Sequence, residues 1–140
     1  MHITSRTERR LPHLATDEAK ELVLGSLLTY AHKGIFRLLA YVLMDNHFHF
    51  AAVVEDADGF PKALGRLKGW TSHELQAATG ARPPIWERRY DDNVIQNDRE
   101  LLQVIQYIHD NPVRAGIVTR AEDYQWSSAR QWALQAFPDL

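Results

Sequence analysis

The sequence predicts an α+β domain of order βαββαβ, an antiparallel sheet with its helices on one face, followed by one further helix. Three observations carry this reading. Residues 36–44 and 47–54 are apolar runs separated by Asp45-Asn46, which is turn chemistry, so they form a hairpin. Segments with helical apolar spacing stand on either side of that hairpin, and each is joined to a short strand-like segment at its far end. The chain has 140 residues with no repeat, low-complexity stretch or linker, which is one domain, 1–140, with enough length to bury a core.

The elements follow in order. Residues 2–6 alternate apolar and polar positions and predict a short first strand, then a basic turn. Thr16-Asp17 supplies an N-cap for a helix with Ala19, Leu22, Val23, Leu27 and Leu28 on one stripe, ending near Gly34. The hairpin gives strands two and three, and Asp56-Ala57-Asp58-Gly59 is a loop. A second helix runs from Phe60 to about Ala78, with Leu64, Leu67, Trp70 and Leu75 as its apolar side. Residues 80–84 break the chain, and residues 93–95 predict a fourth strand. Asn97-Asp98 caps a last helix that turns Leu101, Val104, Ile105 and Ile108 inward. Pro112 disfavours helical geometry at Asn111, so this helix is expected to stop near Asp110. Tyr124-Gln125-Trp126-Ser127-Ser128 is expected to pack back on the domain through its aromatics. The whole is a ferredoxin-like sandwich with an additional C-terminal helix.

Composition excludes several function classes. There is no cysteine, so disulfides, thiolate metal sites and cysteine nucleophiles are absent. No run of about 18 apolar residues predicts a membrane span, and the first residues lack the basic-then-apolar plan of a secretory signal, so the expected compartment is the cytoplasm. The net charge of −2 conceals a segregation. Residues 60–90 carry six cations (Lys62, Arg66, Lys68, Arg82, Arg88, Arg89) against two acids, whereas residues 91–110 carry five acids against one cation. Phosphate binding follows the local field, so the first segment suits either a nucleic-acid face or an ordinary solvated surface.

His47-Phe48-His49 is the most informative motif. On a strand, side chains alternate, so both imidazoles project from one face while Phe48 enters the core on the other. Two neutral imidazoles side by side on a rigid strand can bind a divalent metal. The alternative is a pair of hydrogen-bonded structural histidines. A metal held by two histidines keeps open positions, and an enzyme needs a nucleophile near it. The segment 103–112 offers one: Tyr107 lies at the border of the last helix's buried stripe, and Asn111 stacks one turn beyond it. Each also has a plainer reading, as a core-edge aromatic and as a helix cap. Tyr90 is a rival nucleophile, although its basic Trp-Glu-Arg-Arg-Tyr setting suits packing or DNA contact better. His109 faces elsewhere on the helix and is not expected to be a ligand, and His32 and His73 are expected at the surface.

Met44-Asp45-Asn46-His47-Phe48-His49-Phe50 resembles the His-hydrophobic-His signature of single-tyrosine HUH transposases. Residues 85–90 and the run Tyr107-Ile108-His109-Asp110-Asn111-Pro112 to Val118 resemble later blocks of one branch, the REP-associated tyrosine transposases. With the start Ile3-Thr4-Ser5-Arg6-Thr7 and the tail Trp126-Ser127-Ser128, the resemblance spans nearly the whole chain. It implies cleavage and joining of single-stranded, hairpin-forming DNA. His47, His49 and Asn111 would be ligands of Mg²⁺ or Mn²⁺. Tyr107 would be the nucleophile, leaving a 5′-phosphotyrosine and a free 3′-OH. An ordinary phenol is roughly one part in a thousand ionised at neutral pH, so such a reaction needs the charge neutralisation a metal gives. Asp45 departs from the family, which usually has proline in that turn, and adds negative charge near the metal.

DNA contact would come from Arg6, Arg9, Arg10, Lys62, Arg66, Lys68, Arg88, Arg89 and Arg114, while Trp70 is expected in the core rather than stacked on bases. Two further readings compete with a metal-dependent nuclease and strand transferase. One is a domesticated module that binds hairpin DNA without cutting it; the other is an interaction domain whose histidines are merely buried polar groups. Relatives of this kind are homodimers or monomers, and both remain open.

Overall fold

The hairpin is built as the turn residues require: the Met44 N–H donates to the His47 carbonyl at 2.8 Å, leaving Asp45-Asn46 as a two-residue turn. In the computed structural model, which describes residues 1–135, its arms are β2 (Arg37–Leu43) and β3 (His47–Val53), with Val42 opposite His49. Strand β1 (His2–Arg6) lies antiparallel against the other side of β3, pairing Thr4 with His49 and Arg6 with His47. A short strand β4 (Asp91–Asn93) closes the sheet in the order β2-β3-β1-β4, which is the ferredoxin-like order.

Alternation along β3 then divides the molecule. Phe48 and Phe50 project to one face and meet Trp86 and Phe36, each at a ring separation of 5.3 Å. Helices α1 (Asp17–His32) and α2 (Phe60–Thr79) pack together over this side, which holds the main core with Ile3, Leu27, Leu64 and Leu67 fully buried. The opposite face, bearing His2, Thr4, Arg6, His47 and His49, is covered by the additional helix α3 (Asp98–Arg114), whose Ile105 and Ile108 are buried against the sheet. Gly80 ends α2 in a left-handed conformation (φ 71°) that only glycine adopts without cost.

Four expectations are corrected. The fourth strand is 91–93 rather than 93–95, because β1 selects its partners by register, Thr4 opposite Asp91 and His2 opposite Asn93, and leaves the apolar Val94 exposed. Helix α3 does not stop at Asp110 but runs through Pro112 to Arg114. Proline removes one intrahelical hydrogen bond, but Pro112 is buried, and the turn beyond it is closed by Ala115 N–H to Asn111 and Ile117 N–H to Pro112. Asn111 is therefore inside the helix and Ala115 is the C-cap. Trp70 is 56% exposed rather than in the core: the buried stripe of α2 is centred on Leu64, Thr71 and Leu75, and Trp70 falls about 100° round from it. Leu28, adjacent to the buried Leu27, is likewise turned outward.

The C-terminal segment does more than pack its aromatics. The outward backbone groups of β2 are satisfied by it: Leu43 N–H donates to Trp126 O, Ser128 N–H to Tyr41 O, Tyr41 N–H to Ser128 Oγ, and Tyr124 Oη to Leu43 O. An edge that would otherwise offer unpaired donors and acceptors is thereby closed. Helix α4 (Ala129–Gln135) follows, and its Trp132 indole donates to Leu39 O.

At the hairpin tip Lys20 of α1, only 4% exposed, donates to Leu14 O, Ala15 O and the Asp45 carboxylate. It neutralises the Asp45 carboxylate, and it pins the turn from which Asn46 and His47 emerge. Replacing Lys20 by Met leaves two carbonyls and a carboxylate without their donor. It should lower stability by about 2 kcal/mol in a urea titration with an unchanged m-value.

Candidate active site

The face of the sheet under α3 gathers His2, Thr4, Arg6, His47 and His49. His47 and His49 stand at a ring separation of 4.9 Å, edge to face. His47 donates Nδ1–H to Asn46 Oδ1 at 2.7 Å, and its Nε2 is 3.4 Å from the Asn111 amide. His49, 6% exposed, pairs through Nδ1 with Thr4 Oγ1 at 2.7 Å, and His2 Nε2 lies 3.3 Å from the same nitrogen. The Tyr107 ring is 5.9 Å from His49 and 6.1 Å from His2, and it is 49% exposed, so a bound molecule can reach its hydroxyl. Arg114 lies over the outer face of that ring at 4.2 Å while donating to the Tyr107 carbonyl. Arg6 faces the same side and is held by Asp91 at 2.6 Å.

Burial and neighbouring cations keep both motif histidines neutral. His47 is lowered to about 4, first by burial and then by Arg6 and Arg10. His49 is lowered to about 3, again first by burial, then by His47, His2, Arg6 and Arg114. His2 is lowered by burial and the N-terminal ammonium, against the opposing pull of Asp91. A neutral imidazole is the form that can donate a lone pair to a metal. Among the described residues no three His, Cys, Asp or Glu side chains form a group that could hold a metal ion.

A family model described as "Transposase IS200 like" matches residues 1–111. The chain belongs to the IS200-like transposase family. The chain is 28% identical over 94 residues to the REP-associated tyrosine transposase of Escherichia coli K12, a match covering 66% of this chain and 54% of that one. A Haemophilus influenzae protein provisionally given the same name is 25% identical over 103 residues, covering 66% of this chain and 58% of that one. The matches thus span little more than half the length of these curated relatives. The fold matches a REP-associated tyrosine transposase solved bound to a REP hairpin, with a TM-score of 0.77 at 21% identity, covering 93% of this chain and 76% of that one.

The fold brings four residues named from sequence, His47, His49, Tyr107 and Asn111, to one place. Of the nine cations, Arg6, Arg10 and Arg114 adjoin that face. Arg9 and Arg10 sit in the turn after β1 (Glu8–Arg10) with φ of 55° and 56°, a left-handed pair that costs about 1 kcal/mol per residue; both are exposed, and the Arg10 guanidinium, 3.6 Å from the Glu87 carboxylate, bears on His47. Lys62, Arg66, Lys68, Arg88 and Arg89 lie on α2 or in the segment after it, on the far side of the sheet. The Lys68 amine is occupied by Glu87 O at 2.7 Å. Tyr90, the rival nucleophile, stands beside Lys68 and away from the histidines. His109 is buried and bonded to Ser128 Oγ, with burial lowering it to about 4. His2, Thr4 and Asn46 were not singled out by motif. The alternation of His2, Thr4 and Arg6 is their signal, because the ferredoxin-like order sets β1 beside β3.

Three buried histidines held neutral give a pH signature. Folding favours their unprotonated forms, so below the ordinary value of 6.5 the unfolded chain binds more protons than the native one. Stability is then full above that value and falls as pH drops toward 4. Thermal unfolding of the metal-free protein should show a Tm that declines steadily from pH 7 to pH 5, and a flat profile over that interval contradicts the assignment.

Proposed function

We propose that this chain is a metal-dependent single-strand DNA endonuclease and strand transferase with Tyr107 as its nucleophile. The observation that carries the reading is the approach of Tyr107 and Asn111, on one edge of α3, to His47 and His49 on β3. In the reaction the Tyr107 oxygen attacks a phosphodiester. An O–P bond forms to the tyrosine, the P–O3′ bond breaks, the phenolic proton passes to solvent, and the 3′ oxygen leaves as a hydroxyl. The product is a 5′-phosphotyrosine, and attack by a 3′-OH reverses the step without a nucleotide cofactor.

The donor set suits a divalent cation. Asn46 and Thr4 occupy the Nδ1 atoms, which leaves the Nε2 atoms of His47 and His49 as lone-pair donors, and the Asn111 carboxamide can turn its oxygen to the same point. Mg²⁺ or Mn²⁺ bound there would neutralise phosphate charge and ease departure of the 3′ oxygen. Arg114 fixes the ring plane of Tyr107 and places a positive charge where the phosphate must approach. Arg6 and Arg10 extend that field along the face. The relatives' names and the hairpin in the matched structure support folded single-stranded DNA as the substrate.

Incubation with hairpin oligonucleotides and Mn²⁺ should yield a covalent protein–DNA adduct on a denaturing gel. Tyr107→Phe should abolish it while preserving binding, and an adduct that survives moves the nucleophile to Tyr90. His47→Ala should reduce the adduct about 100-fold or more, with hairpin affinity retained. Tight binding by the unaltered protein with no cleavage at any metal concentration would instead mark a silent binding module.

A further inference from the structure

The proposed reaction leaves unused a groove beside its nucleophile. It has a volume of about 290 Å³ and is lined by His2, Glu100, Gln103, Val104 and Tyr107. On α3 those residues recur at the spacing of one helical stripe, which continues beyond Tyr107 to Asn111. The groove therefore occupies the N-terminal side of Tyr107, and the histidine-facing end occupies the C-terminal side. A rise of about 1.5 Å per residue sets Gln103 about 6 Å and Glu100 about 10 Å up the helix from Tyr107. A DNA strand whose scissile phosphate meets the Tyr107 hydroxyl would have this groove within reach of a flanking nucleotide, because Tyr107 itself lines it.

The lining suits a base rather than a backbone. Two rings form its walls, Tyr107 and His2, inclined at 67°, and the half-buried Val104 forms an apolar floor. At its far end stand a carboxylate and a carboxamide. Glu100 accepts one long hydrogen bond from Gln96 N–H at 3.3 Å, and among the described residues the Gln103 side chain makes none. A carboxylate beside the path of a phosphodiester is unfavourable for the phosphates, and it does not help a ring stack, because stacking tolerates any base. It does discriminate between base edges: it accepts from an exocyclic amine and repels a carbonyl oxygen. Glutamine adds one donor and one acceptor at a fixed distance.

We infer that this groove is a base-reading subsite: it seats the nucleobase flanking the scissile phosphate, and Glu100 and Gln103 select a base with an exocyclic amine over thymine. This rests on the strand-cleavage reading above.

The test uses the full chain and a hairpin oligonucleotide whose single-stranded arms are randomised. Adducts formed with Mn²⁺ are sequenced across the cut. The unaltered protein should disfavour thymine by about tenfold at one flanking position. Glu100→Gln, which adds a donor for the thymine carbonyl, should erase most of that bias, and Gln103→Ala should weaken it. A bias that is absent, or identical in all three proteins, overturns the subsite and leaves the nuclease intact. The same library is also selected by equilibrium binding to Tyr107→Phe, which keeps the ring wall. Should no adduct form, that selection still decides the groove: a thymine bias lost in the Tyr107→Phe/Glu100→Gln double variant supports it, and its absence, or failure to bind, overturns it.

Discussion

Strand β3 has to meet opposite demands on its two sides, and the rest of the molecule follows from how it does so. Phe48 and Phe50 are fully buried against the α1/α2 layer and add apolar burial to the backbone pairing that β1 and β2 give the strand. That rigidity is what lets His47 and His49 stand together on the reverse side, where leaving imidazole nitrogens dry without partners would be costly. Each is supplied with one: Asn46 for His47, Thr4 for His49. A slip of one residue in register would send the aromatics to the polar face and the histidines into the core. The hairpin turn and its Lys20 anchor are thus as much a part of the site as the residues that touch it.

Helix α3 completes what the strand begins. Its buried residues, Ile105 and Ile108, settle it on the sheet, and the same turn of the helix carries Tyr107 to the rim. The continuation through Pro112 matters because it fixes Asn111 by helical geometry. A terminal cap would not hold the amide against His47 as firmly. Arg114, one turn further, then folds back on Tyr107, so a single side chain engages both its ring and its carbonyl.

Much of this was legible in the chain. The alternation around His47-Phe48-His49 specified which side faces the core, and the i, i+4 spacing specified that Tyr107 and Asn111 share an edge. What was not legible depended on partners far away in sequence. The strand at 91–93 has no apolar pattern, since an edge strand needs only backbone pairing, and its position is dictated by β1. Pro112 reads locally as a stop, and only tertiary burial reverses that. Trp70 shares the apolar character of its neighbours but not their azimuth on α2. His2 carries no motif at all; it enters the site because β1 lies beside β3.

The strap from Tyr124 to Ser128 also has a meaning in time. Strand β2 is made early, yet its outer hydrogen bonds are to residues some 87 positions downstream. Contacts so distant in sequence form late, after the loop between them has been closed at an entropic cost. While the chain emerges, that edge is an open template, protected only by the speed with which the last residues arrive. The segment that lies outside the candidate site is the one that closes the β2 edge of the finished sheet.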